Sequence, residues 1–189
     1  MPAERPPVTI RRTRPADAEA LAALKRATFR ETFIEDFAIP YPPEDVARFE
    51  AETRSPARVR AEIADPACAS WVAEGADGAL LAYAFAGPCH LPHKDARPSH
   101  GELYQLYVAR AAQGLGLGRA LMARALDWLA TTYAGPLWLG VWSGNARAQA
   151  FYAAAGFRKV GGYAFKVGAH RDAEYIFRRE PGDGPDAPM

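Results

Sequence analysis

The run Gln113-Gly114-Leu115-Gly116-Leu117-Gly118 lies between a strand-like stretch, Glu102 to Arg110, and a helix-like one, Arg119 to Tyr133. A loop of small residues that opens a helix leaves several backbone N–H groups without partners, with the positive end of the helix dipole behind them. Such a loop is a seat for phosphate. Two common phosphate loops do not fit. A P-loop requires Gly-Lys-Ser/Thr after its glycine run, and here Gly118 is followed by Arg119-Ala120. The dinucleotide fingerprint requires a third glycine three places after the second. Counted from Gly114 that place holds Arg119, and counted from Gly116 it holds Leu121.

The surrounding pattern alternates strands and helices. Val8 to Thr13 reads as a short strand, and Pro15 with Asp17 opens a helix whose apolar stripe is Leu21, Leu24, Thr28 and Phe29. Glu31 to Glu44 is acidic and aromatic, broken by Pro40, Pro42 and Pro43, and a helix is expected again over Glu44 to Thr53. Ser55-Pro56 is an N-cap with a first-turn proline, starting a helix that stops before Pro66. Ala69 to Glu74 and Ala79 to Gly87 flank the hairpin signal Gly75-Ala76-Asp77-Gly78. A polar loop, Pro88 to His100, leads to a strand over Gly101 to Arg110. Leu117, Leu121, Ala125, Trp128 and Thr132 then make one helical face. A strand over Leu137 to Trp142 follows, then a short helix over Ala146 to Ala155 ended by Gly156. Lys159 to Val167 and Asp172 to Arg179 read as an antiparallel pair. The sum is an α/β chain with a mixed, mainly antiparallel sheet and a βαβ-like middle that carries the glycine loop.

The 189 residues suffice for one domain with a sizeable core, taken as 8–180 with flexible ends over 1–7 and 181–189. A net charge of +1 offers no bulk attraction to nucleic acid or anionic membranes. Without a leader-like or membrane-length apolar run the chain reads as cytoplasmic, and two cysteines, Cys68 and Cys89, make no disulfide framework. His90-x-x-His93 with Asp95 has metal-ligand spacing but no further ligand cluster nearby, so no metal is expected.

Three segments in order resemble the GNAT (GCN5-related) N-acetyltransferase superfamily: Glu-Leu-Tyr-Gln-Leu-Tyr-Val at 102–108; Gln-x-x-Gly-x-Gly, met by Gln113, Gly116 and Gly118; and the stretch 138–157, with Asn145 at a helix start, Phe151-Tyr152, and Gly156-Phe157 closing the helix. Leu-Gly-Val-Trp at 139–142, Val160-Gly161 and Phe165 to Gly168 look most like the PaiA-type spermine/spermidine N-acetyltransferases. The resemblance implies the GNAT fold, a twisted sheet of about seven strands with flanking helices, and acetyl-CoA as cosubstrate. It implies that the pyrophosphate sits on Gln113, Gly114, Leu115, Gly116, Leu117 and Gly118. Arg119 either adds charge there or is a solvated first-turn residue. Leu106, Tyr107 and Val108 occupy the positions the family uses to pair with the pantetheine arm, as a peptide pairs with a sheet edge. Asn145 would hold that arm, cap its helix, or do both.

The resemblance also implies a reaction in which an amine attacks a thioester. An alkylammonium has a pKa of about 10 and must first lose a proton. Glu102, eleven residues ahead of Gln113, is the candidate base, acting through water, or else a surface charge at a strand end. Tyr152 matches the family's general acid toward the departing thiolate, whose acid has a pKa of about 8.5. No nucleophile for a covalent acetyl-enzyme stands out, so direct attack in a ternary complex is expected. The expected acceptor is a small amine, polyamines above all. A protein amine or an aminoglycoside-like compound stands second, and a catalytically silent acyl-CoA sensor is the alternative of another class. Glu31, Glu35, Asp36, Glu44 and Asp45 would form an acidic acceptor wall or a solvated face, and Phe29, Phe33, Tyr83 and Trp142 would line a pocket or fill the core. His100 beside Glu102 could assist proton removal. Whether a free sheet edge pairs with a second copy in a homodimer the sequence leaves open.

Overall fold

The computed structural model describes residues 7–183. The outermost parts of both expected flexible ends, 1–6 and 184–189, lie outside the described residues. Seven strands form one sheet in the order β1-β2-β3-β4-β5-β7-β6. In chain order they are β1 (Val8–Arg12), β2 (Ala69–Gly75), β3 (Leu80–Pro88), β4 (Gly101–Val108), β5 (Leu137–Trp142), β6 (Arg158–Val167) and β7 (His170–Arg179). The helices are α1 (Ala18–Phe29), α2 (Pro43–Thr53), α3 (Pro56–Ala64), α4 (Leu117–Thr132) and α5 (Ala146–Ala153). None of them is long and apolar enough to cross a membrane.

Neighbouring strands are antiparallel except β4 and β5, joined by the α4 crossover. The expected mixed sheet is therefore present, with its βαβ unit in the middle. Helix α4 covers one face, where Leu117, Leu121, Ala125 and Leu129 pack on Leu103, Leu139, Val141 and Phe177. The fifth position of the expected stripe, Thr132, is exposed, and Leu129 is the last residue buried. The other face carries α1, whose Leu21 and Leu24 pack with Val72 of β2, and a second cluster in which Phe29 meets Ile39, Val46 and Val167. Ser55 caps α3 as read, its Oγ accepting from Arg58 N–H at 3.3 Å. Lys25 is buried in the α1 layer, paired with Glu62 at 2.5 Å.

Two elements differ from the sequence reading. The strand expected to reach Arg110 ends at Val108, and Arg110–Ala112 make a 3₁₀ turn that aims the chain into the glycine loop. Helix α1 does not stop in the acidic stretch but widens into a π-turn over Arg30–Asp36, where Phe37 N–H donates to Thr32 O at 3.1 Å. Pi-turns concentrate at functional sites, and this one forms a wall of the cleft described next.

Candidate active site

Strands β4 and β5 are matched at only two positions, Gly101↔Leu137 and Glu102↔Trp138. Beyond them β4 stays with β3 as far as Ala82↔Val108, and β5 stays with β7 as far as Trp142↔Glu174. A β-bulge helps to part the two. Opposite Phe85 and Ala86, strand β4 carries Gln105 and Leu103, so Tyr104 is an extra residue. A bulge bends its strand, increases its twist and ends regular pairing. The edge of β4 facing β5 from Leu103 to Val108 is thus left open, in a sheet whose neighbours otherwise pair over most of their length. Leu106 and Val108 turn their side chains to the α4 face, while Tyr107 stacks on Tyr83 on the other, with ring centroids 5.7 Å apart.

The glycine loop follows at the wide end of this split. Gln113 N–H donates to Arg110 O at 3.2 Å, and Ala120 N–H to Gly116 O at 3.1 Å. The amides between, 114 to 119, have no acceptor among the described residues. Gly114 and Gly116 have φ of +80° and +79°, and a Cβ on either would point into open space. Glycine is needed there for its backbone conformation, because the left-handed region penalises a side chain. The outcome is a row of free donors at the N-terminus of the 16-residue α4, an arrangement that favours an anion.

One cleft of about 1060 Å³ joins the split and the loop. Glu102, Leu106, Tyr107, Val108, Gln113, Gly114, Gly116, Leu117, Gly118, Arg119, Asn145 and Tyr152 all line it. Leu115 does not; it is 38% exposed. Asn145 caps α5, its Oδ1 accepting from Ala148 N–H at 2.9 Å, which commits the carbonyl and leaves the NH₂. Phe151 also reaches the cleft, whereas Phe157 is buried.

Glu102 is 7% exposed. Burial pushes its pKa up to about 7, helped by the charge of Glu174 and opposed by donation from His90 N–H (2.8 Å), the Cys89 thiol and the Leu91 amide. Burial also drives the Cys89 thiol up to about 12, so it carries negligible thiolate at neutral pH. Tyr152, half-buried against Phe151 and Phe157, has its phenol raised by burial and by neighbouring Tyr107. It therefore stays protonated across the working pH range. Tyr152 packs with the α4-side core, while Glu102 shares a register and a face with Trp138 on the other side. Acid and base candidates stand on opposite faces of the sheet, with the split between them.

The acidic wall expected near the N-terminus is largely spent on structure. Arg110 pairs with Glu35 (2.8 Å) and Asp36 (2.7 Å), and its own N–H donates to Glu31 at 3.0 Å. Asp45 is buried and accepts from Ala169 N–H at 3.1 Å, fixing the β6–β7 turn, while Glu44 is exposed. Phe33 and Trp142 line the cleft, Phe29 does so from the core, and Tyr83 belongs to the core alone. His100 is turned to Trp138, whose Nε1–H donates to its Nδ1 at 3.1 Å. Among the described residues no three His, Cys, Asp or Glu are grouped to hold a metal.

Other acids take that place. Asp172 and Glu174 on β7 line the cleft on the Glu102 face. Tyr163, directly across the β6–β7 pair, donates to Glu174 at 2.7 Å, and Tyr41 donates to Asp172. Gly140 leaves the necessary room, since a Cβ there would lie 2.8 Å from the Tyr163 hydroxyl and 3.0 Å from Glu174. Burial raises the pKa of Glu174, and Asp172 adds to the shift. Arg147, at the start of α5, bridges to Gln113 Oε1 at 3.2 Å and adds a cation at the loop. The strand alternation Asp172, Glu174, Ile176 carried a signal, because the buried Ile176 marks the inward face. Nothing local in the sequence singled out Arg147.

A sheet parted in the middle, a loop of free amides at its mouth, and a carboxyl and a phenol on either side define an acetyl-CoA-dependent N-acetyltransferase. The chain belongs to the Acetyltransferase (GNAT) family, whose model matches residues 26–157. It is 36% identical over 166 residues to an uncharacterised N-acetyltransferase of Mycobacterium tuberculosis, covering 87% of this chain and 97% of the relative. It is 33% identical over 186 residues to the N-alpha-acetyltransferase RimI of the same organism, covering 97% and 99%. Its fold resembles that of the PaiA N-acetyltransferase from Thermoplasma acidophilum, solved in complex with coenzyme A. The TM-score is 0.70 at 19% identity, over 93% of this chain and 99% of that one.

Proposed function

We propose that this enzyme moves an acetyl group from acetyl-CoA to the primary amine of a small acceptor, a polyamine by preference, through direct attack in a ternary complex. The observation that carries this reading is the pair of sheet faces joined by the split. The glycine-loop amides, with Arg119 and Arg147 beside them, would take the pyrophosphate. The arm would lie along the open edge at Leu106 to Val108, with the Asn145 NH₂ within the same cleft. A main-chain N–H of that edge would polarise the thioester carbonyl and stabilise the tetrahedral oxyanion.

The amine would arrive on the Glu102 face. A carboxyl near pKa 7 is about half ionised at neutral pH and is a far better base than an ordinary glutamate. Glu102 first takes a proton from the bound ammonium, directly or through water, and the lone pair so freed bonds to the acetyl carbon; a second N–H proton leaves to water as the tetrahedral adduct collapses. The C–S bond then breaks, and Tyr152 donates a hydrogen bond to the leaving thiolate from the other side. Since the Tyr152 phenol is a weaker acid than a thiol, that bond stabilises the thiolate, and the full proton follows from solvent. The raised thiols of Cys68, at about 11, and Cys89, at about 12, speak against a covalent acetyl-enzyme.

The preference for a cationic acceptor is supported by Glu102, Asp172 and Glu174, which face the same space. A protein N-terminus is the second reading, favoured by the full-length similarity to RimI. The test is thiol release from acetyl-CoA with a linear triamine, an aminocyclitol and a short peptide with a free N-terminus, each product identified by mass. Turnover with the triamine well above the others is expected. Turnover confined to the peptide would replace the acceptor assignment, and tight acetyl-CoA binding without any transfer would indicate a sensor.

A further inference from the structure

Gln105 sits on β4 immediately after the bulged Tyr104, facing Phe85 in the β3 register. Its side-chain Oε1 is buried and has no hydrogen-bond partner among the described residues. Buried side-chain carbonyls are rarely left in this state, because an unpaired acceptor forfeits its hydration and gains nothing in return. The orphaned amide lies where two recesses meet. It lines the main cleft and also a second hollow of about 670 Å³, on the face of the sheet that carries α2 and α3. Glu102, Tyr104, Arg54 and Phe165 border both spaces as well.

Water in the two recesses can donate to this carbonyl between turnovers, and a substrate that displaces that water must bring a donor of its own; the reaction offers few. The acetyl group and the thioester have no N–H or O–H, and the amides of the arm belong to the strand edge. The group that brings N–H bonds to the neighbourhood of Glu102 is the acceptor amine. We propose that Gln105 is an acceptor-binding residue: its amide carbonyl takes an N–H of the incoming amine and holds the nitrogen between Glu102 and the gap in the sheet. This rests on the acetyl-transfer reading given above and adds a residue that neither the motif nor the charge pattern indicated.

A neutral amide suits the task better than a carboxylate. It accepts from an ammonium and from a free amine alike, so it keeps its hold while Glu102 removes the proton. A second carboxylate at that point would stabilise the ammonium and oppose deprotonation.

The experiment compares wild type with Gln105→Met and Gln105→Glu, using whichever primary amine of the panel is turned over best. Gln105→Met keeps the length of the side chain and removes the amide. It is expected to raise the KM of the amine about tenfold or more, the loss of one hydrogen bond to a charged donor. The KM of acetyl-CoA should not change. Its Tm should equal or exceed that of wild type, since an unsatisfied buried group has been removed. Gln105→Glu should move the lower limb of the pH–rate profile to higher pH. An amine KM within twofold of wild type in Gln105→Met overturns the proposal while leaving acetyl transfer intact. A lowered Tm in that variant also overturns it, because it would reveal a structural partner for the amide. If wild type acetylates none of the amines, the acetyl-transfer reading fails first and this inference falls with it.

Discussion

Replacing Glu102 by Gln isolates the energetic consequence of burying a base. Gln keeps the shape and can still accept from His90 N–H, but it has no proton to lose. In the wild-type fold the Glu102 pKa stands at about 7, against 4.5 for an ordinary glutamate. At about 1.4 kcal/mol per pH unit, ionising it in the folded state costs about 3 kcal/mol. Because the folded value lies above the unfolded one, this group contributes its stability fully below about pH 4.5. The contribution declines as the pH rises and is gone above about pH 7. The variant lacks that decline. Thermal melts of both proteins should nearly coincide, apart from a constant offset, at about pH 4.5. Above about pH 7 they should separate by a further 6–12 °C or so in favour of the variant, taking about 2–4 °C per kcal/mol for a chain of this size. Acetyl transfer by the variant should fall by about 10²-fold or more. Melting curves that keep a constant separation from about pH 4.5 to 9 would refute the burial argument. Full activity in the more stable variant would refute the role of Glu102 as base.

In wild type, kcat/KM should rise to a plateau above about pH 7 and stay level until the amine itself titrates near 10, whereas a steady climb from about 7 to 10 would mean that only free amine is used. Tyr152→Phe should lower kcat about 10²-fold or more while leaving acetyl-CoA affinity by calorimetry within a few-fold, and an unchanged rate with chemistry limiting would remove Tyr152 from the reaction. Gly116→Asp should abolish acetyl-CoA binding by calorimetry, because it sets a β-carbon at φ +79° and a negative charge among the loop amides. Glu62→Gln should destabilise the fold by about 3 kcal/mol in urea titration by leaving Lys25, 1% exposed, without its counter-charge, whereas Lys25→Met should be close to neutral.

Much of this protein was legible in its sequence because the relevant signals are local. The glycine loop needs only consecutive residues with a given backbone freedom, followed by a helix. The order of strands and helices follows from apolar period and from the prolines and glycines that interrupt it. Glu102 and Tyr152 were singled out by the resemblance to the GNAT motifs, Glu102 standing eleven residues ahead of Gln113. Their environments were another matter. The distance from pKa 4.5 to about 7 at Glu102 arises from burial beneath the 89–91 segment and from Glu174, more than seventy positions away.

The acidic wall shows the limit most clearly. Glu31, Glu35 and Asp36 look available in the sequence, and only the fold brings Arg110 against them. Asp172 and Glu174 look like ordinary strand charges, yet β7 lies beside β5 in the sheet and turns them toward Glu102. Gln105 is read as one polar residue in a strand until the bulge at Tyr104 places its amide carbonyl where it has no partner among the described residues. The chain alone determined the glycine loop at the start of a helix, the order of the elements and the candidate pair Glu102 and Tyr152. Tertiary structure decided the parting of β4 from β5, the raised pKa of Glu102 and which acids face the cleft, because register and burial depend on segments that are far apart in the chain.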